Sequence, residues 1–157
     1  MPGNKKPRKK HRPAGRASAN RIKAFRYNSD ADFWLQHAPH QALESLRNGT
    51  ADADLHNMLV LRVLLGRQII EDHLVDPDEA RQIMAAGVAA VESVAARHDR
   101  LGRFGATGEE LRKIGDALNL CDDLQQATTR REQESSLKKV LHINGERTEV
   151  KSHAVVD

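Results

Sequence analysis

Aromatic side chains are scarce in this chain, with one Trp, one Tyr and three Phe in 157 residues. A core must therefore be aliphatic, and strand-rich domains, which lean on aromatic and β-branched residues, are disfavoured. Cysteine is scarcer still. Cys121 stands alone, which excludes an internal disulfide and a cysteine-based zinc centre. Inside an apolar pattern such a thiol reads as a small core residue, since no ordered His and Asp partners flank it as they would a nucleophile. No run approaches the ~18 consecutive apolar residues needed to span a bilayer. The basic N-terminus is not followed by the apolar stretch of a secretory signal. The chain is expected to stay in the cytoplasm, with no membrane partner.

Acidic residues are missing from the first 29 positions. That segment carries Lys5, Lys6, Arg8, Lys9, Lys10, Arg12, Arg16, Arg21, Lys23 and Arg26, a charge of +10. The rest of the chain holds 15 basic and 22 acidic side chains, a charge of −7. A net charge of +3 hides this division. A basic arm on an acidic body suits contact with a polyanion. The opening MPGNKKPRKKHRPAGRASAN is rich in Pro, Gly and charge and has almost nothing to bury, so it is expected to be disordered when free. Near its end, Ser18 is placed to cap a short basic helix, with Ile22 and Phe25 three apart on one face.

What is present beyond the arm is helical periodicity. The fold expected is all-α: a helical bundle of three long helices, with shorter N-terminal helices and the disordered basic arm. Its divisions are an arm over residues 1–28, a bundle domain over 29–135 and a C-terminal tail over 136–157. A short helix starts at Ser29 or Asp30, with Pro39 ending it or opening the next piece. Residues 41–47 form a further turn or two, stopped by Asn48-Gly49. The first long helix, near 51–74, takes Thr50 as its cap, with Asp52 and Asp54 near the positive helix end. Leu55, Met58, Leu59, Val63, Leu64, Ile69 and Ile70 recur along it on a wide apolar face, as in a central helix. In the second, near 77–100, Asp76 caps, Pro77 opens and Glu79 reaches back. Its alanines and Gly87 permit close helix contact. The third, near 108–132, opens on the pair Thr107 and Glu110 and extends past Arg131 if a kink or break intervenes. Leu59, Val63, Met84, Val88, Val91, Leu111, Ile114 and Leu118 are the predicted core. Val140–Ile143 and Arg147–Val150 flank Asn144-Gly145, so the tail reads as a small hairpin or a frayed end.

Few constellations point to chemistry. Gly102, Gly105 and Gly108 precede a helix as a phosphate loop would, but Glu109 and Glu110 follow, where a P-loop has Lys and Ser or Thr. The loop reads as structural. His37 with His40, and Asp52 with His56, have spacings that recur in metal sites but no third ligand at fixed spacing. His73 reads as a helix-end cation. The pairs Asp122-Asp123 and Glu109-Glu110 are adjacent in sequence and do not face across a cleft. No metal, cofactor or catalytic residue is assigned. Both clear helix starts are acidic and unsuited to the major groove, so phosphate contact falls to the arm, with little sequence specificity.

The opening MPGNKKPRKKHRP, residues 102–111 (GRFGATGEEL), Asp123-Leu124-Gln125 and the run Thr129-Arg130-Arg131-Glu132-Gln133 resemble a group of small proteins of bacterial genomes and prophage-like islands, some of them labelled Fis-type regulators. The resemblance covers most of the chain and implies a bacterial or mobile-element accessory protein. The expected function is that of a non-enzymatic accessory or regulatory protein. Its arm contacts DNA or RNA phosphates, and its helical body offers a surface for a protein partner or a homodimer. The alternative is a protein–protein adaptor or phage-type inhibitor of a host factor, with no nucleic-acid role.

Overall fold

Five helices make up the described part of the chain in a computed structural model that covers the backbone of residues 29–153 and the side chains of residues 35–143. They are α1 (Ser29–Arg47), α2 (Ala53–His73), α3 (Asp78–Leu101), α4 (Gly108–Ala127) and α5 (Arg130–His153). No strand occurs among the described residues. The chain separates into two units, Met1–Trp34 and Leu35–Asp157, and the second holds the core. No described helix is long and apolar enough to cross a membrane.

Local chemistry sets most helix ends. Gly49, at φ +71°, closes α1 with its amide on the Leu46 carbonyl. Thr50 turns back to the same helix, its amide and hydroxyl both donating to the Ser45 carbonyl. It is therefore not the cap of α2. Asp52 is, its Oδ1 accepting from the Leu55 amide at 2.9 Å. Gly102 ends α3 in the left-handed region, its amide on the His98 carbonyl, where a side chain with a Cβ is disfavoured. Thr107 and Glu110 form the capping box expected of them, each side chain bonded to the other's amide.

Three further expectations are corrected. Asp76 does not cap α3. Pro77 occupies the cap position without a side-chain bond, and Asp76 sits at φ +50°. Four residues must reverse the chain between α2 and α3, and Asp tolerates the left-handed conformation that this tight reversal uses. Pro39 neither ends nor opens a helix, because α1 runs through it. Proline in a helix interior costs about 3 kcal/mol, and burial of Ala42, Leu43 and Leu46 on the same helix offsets that cost. The third long helix does carry a break as it runs on, at Thr128 and Thr129. There, Thr129 and Glu132 make a second reciprocal cap that opens α5. Finally, Asn144-Gly145 lies inside α5, so the hairpin signal does not form a hairpin. Ser136 and Val140 are buried, and residues 136–153 continue the helix that opens at Arg130.

Packing centres on α2, which touches α3, α4 and α5, while α3 also lies along α4. The wide apolar face of α2 is thus used on several sides. Leu59, Val63, Met84, Val88, Val91, Ile114 and Leu118 are buried as expected, whereas Leu111 is only half-buried at the rim. Two glycines set the closest approaches. A Cβ on Gly66 of α2 would stand 2.5 Å from Cys121 Sγ of α4 and 2.8 Å from Met84 Cε of α3. A Cβ on Gly87 of α3 would meet the Ala117 Cβ of α4 at 2.5 Å. Such distances lie inside van der Waals contact, so neither position accommodates a larger residue without movement.

Candidate functional site

The ten cationic residues singled out in the arm, from Lys5 to Arg26, lie outside the described residues. In the described body, polar side chains concentrate in three clusters and around one cleft.

The first cluster joins α1, α2 and α4. Arg62 of α2 is only 4% exposed. Its Nη2 donates to Asp122 Oδ1 at 2.9 Å and Gln125 Oε1 at 2.7 Å, both on α4. His40 Nε2 of α1 donates to the other carboxylate oxygen of Asp122 at 2.8 Å. Arg62 Nε is buried without a partner. With Asp122 as its partner, His40 is a satisfied structural histidine. This cluster bolts three helices through one carboxylate, and a buried cation in it is tolerated because anion and amide face it.

The second cluster joins the end of α2 to the start of α5. Ser136 Oγ lies 2.8 Å from Asp72 Oδ2 and 3.4 Å from His73 Nε2, and His73 Nδ1 lies 4.0 Å from Glu132 Oε1. Serine, histidine and acid in that order invite a nucleophile reading. The geometry argues otherwise. The Ser136 hydroxyl donates to Asp72, so it is not activated by His73, and at 0% exposure it is closed to a substrate. Burial pushes the Asp72 carboxyl up, but hydrogen bonds from Lys139, Ser136 and Gln68 outweigh it and hold the group below its usual range. The cluster works as a clamp between two helix ends.

The third cluster ties α3 to α4. Arg97 makes a bidentate pair with Glu110, both bonds 2.8 Å, and also donates to the Gly105 carbonyl. Ser93 Oγ donates to Glu110 Oε1. The Arg97 hydrogen bonds, with those from Ser93 and the Thr107 amide, outweigh burial and hold the Glu110 carboxyl at about 2. The N-terminus of α4 therefore already has its own anion, which supports the structural reading of the glycine loop. Beside it, Phe104 is stacked by His56 at 4.9 Å and by His98 at 4.0 Å. His56 is buried and donates through Nε2 to the Val91 carbonyl, while Asp52 caps α2, so the Asp52 and His56 pair does not converge. Among the described residues no group of three or more His, Cys, Asp or Glu side chains is placed to hold a metal.

Burial pushes the Cys121 thiol up to about 11, and it donates weakly to the Arg62 carbonyl at 3.4 Å. A thiol so protonated is a core residue and not a nucleophile.

The cleft, of about 310 Å³, lies between the end of α1, the end of α3 and the loop that follows it. Its walls include Leu46, Leu101 and Phe104, with Arg47, Arg97 and Arg103.

Sequence reasoning missed Arg62, Gln125 and Ser136. Arg62 interrupts the apolar stripe of α2 at a position three after Leu59 and seven before Ile69, and that core register was the available signal. Ser136 precedes Val140 by four, the spacing of one helix face. Thr129-x-x-Glu132 carried a capping signature.

No protein-family model, no curated protein and no solved structure matches the chain.

Proposed function

We propose that this chain is a non-enzymatic, cytoplasmic accessory or regulatory protein that holds DNA or RNA through its basic arm, with little sequence preference. The observation that carries this reading is the charge segregation, +10 over the first 29 residues against −7 over the rest. Lysine and arginine on an acid-free segment meet phosphates by counterion release, which does not discriminate sequence. The body supports the division of labour. The first turns of α2, α3 and α4 carry Asp54, Asp78, Glu79, Glu109 and Glu110, which repel a phosphate backbone. Its buried cation Arg62 is engaged internally.

The test is a salt titration of duplex DNA and single-stranded RNA binding, with the intact chain and with a chain lacking the first 26 residues. If about six of the arm's ten charges engage duplex phosphates, log affinity falls against log salt with a slope near −5. Truncation abolishes binding and leaves the helical signal of the body intact. Equal binding by the truncated protein defeats the arm hypothesis.

A second reading is a protein–protein adaptor or phage-type inhibitor of a host factor. Val75, 89% exposed at the turn between α2 and α3, favours it, as does exposed Leu141 on α5, because exposed aliphatic side chains suit a protein surface better than a phosphate backbone. Absence of nucleic-acid binding at low salt, with or without the arm, selects this alternative.

A further inference from the structure

We propose that the cleft between the end of α1, the end of α3 and the loop over residues 102–107 binds a small aliphatic anion, a medium-length acyl or alkyl chain with one carboxylate or phosphate head. This site is independent of the arm.

Charge is the first reason. The residues lining the cleft include three arginines and no acid, in a body whose net charge is −7. The arginines differ in availability. Arg97 is committed to Glu110 and the Gly105 carbonyl and forms a fixed wall. Among the described residues Arg47 pairs only with Glu44, one turn away on the same helix and half-exposed, a kind of pair that contributes little and rearranges easily. Arg103 is exposed and makes no ion pair or hydrogen bond with any described residue. Two guanidinium groups, one free and one weakly held, thus border the cleft, and the fork geometry of arginine suits a carboxylate or phosphate.

Shape selects the rest of the ligand. Leu46 and Leu101 supply aliphatic wall, and Leu101 is 59% exposed. A bound alkyl chain would take that surface from water. A flat ring would gain less, because Phe104 is already stacked by both His56 and His98. Stacking, which favours nucleobases and other aromatic ligands, must compete there with two histidine rings. The α4 amides are not the anion site, since Glu110 and Thr107 cap them. A volume of about 310 Å³ is at the small end of ligand clefts and suits a chain no longer than medium length.

The full chain is titrated with octanoate, octyl phosphate and octanol, using calorimetry and backbone amide NMR. Octanoate or octyl phosphate binds at one saturable site and shifts the Gly49 and Gly105 amides, and the tighter of the two identifies the head group. Octanol binds at least about tenfold more weakly. The double variant Arg47→Gln/Arg103→Gln keeps its helical signal and melting point, because both side chains are on the surface, and loses about tenfold or more in affinity, the scale of one charged hydrogen bond. Any of three results overturns the proposal: no saturable binding of either anion below about 10 mM, equal binding of octanol, or equal affinity in the double variant. Anion-induced shifts confined to the arm also overturn it, since they would report loose pairing with lysines outside the cleft.

Discussion

Replacing Gly66 with alanine should destabilise this protein although alanine is the better helix former. Gly66 lies mid-α2, where alanine gains about 1 kcal/mol from helix propensity. Against that, the new Cβ lands 2.5 Å from Cys121 Sγ and 2.8 Å from Met84 Cε. Met84 can swing its terminal methyl aside. Cys121 has far less room to move, because its sulfur is buried and sits only two bonds from the α4 backbone. Helices α2 and α4 must then separate, an overpacking cost of up to about 3 kcal/mol. The net expected loss is about 2 kcal/mol. Cys121→Ala alone removes a methyl-sized group from the core and costs about 1 kcal/mol. The two changes together place the new methyl where the sulfur was, so the double variant should lie within about 1 kcal/mol of the parent, a coupling of about 2 kcal/mol. Urea unfolding followed by circular dichroism measures all four corners of the cycle, provided the slopes agree. A stabilised Gly66→Ala variant, or costs that simply add, would refute the close crossing of α2 and α4.

Three further outcomes are expected. The Glu110 carboxyl lies at about 2 when folded against 4.5 when unperturbed, so it contributes about 3 kcal/mol above pH 4.5 that is lost as pH falls toward 2. The stability difference between the parent and Glu110→Gln should therefore shrink through that window, as read by urea unfolding at successive pH values, and a difference independent of pH counts against it. Arg62→Ala should cost about 3 kcal/mol by leaving Gln125 without its partner and Asp122 with His40 alone. Arg62→Met, which keeps the packing of the stem and removes the unpaired Nε, should cost less in the same assay. With its thiol pushed up to about 11 and buried, Cys121 should resist maleimide at pH 8 in the folded protein and react once urea unfolds it; fast labelling of the native state would contradict its place in the core.

Interactions within one or two turns of chain are legible in the order of the residues. The capping box of Thr107 and Glu110 and the Asn48-Gly49 stop are relations between near neighbours, and the aliphatic stripes of α2, α3 and α4 are a periodicity of the chain itself. The same local signature at Thr129 and Glu132 is present but hidden by continuing helical character on both sides. The candidate cleft is only half legible. Its glycine loop is visible in the sequence, but its association with Arg47 depends on α1 ending beside that loop.

The sequence by itself determined a helical, aliphatic-cored body and the separation of charge between arm and body, because composition and i, i+3/i+4 spacing need no partner to act. Tertiary structure alone decided the places where a local preference met a surface distant in sequence. Pro39 stays within α1 because burial along that helix outweighs its missing amide. Asn144-Gly145 stays helical in α5, which is anchored on α2 through Ser136, Lys139 and Asp72. Arg62 goes inside because Asp122 and Gln125, sixty and more residues away, meet it there. A turn signal or a charge states a preference of order 1–3 kcal/mol, and burial against the right partner is of the same size, so only the assembled bundle settles which one prevails.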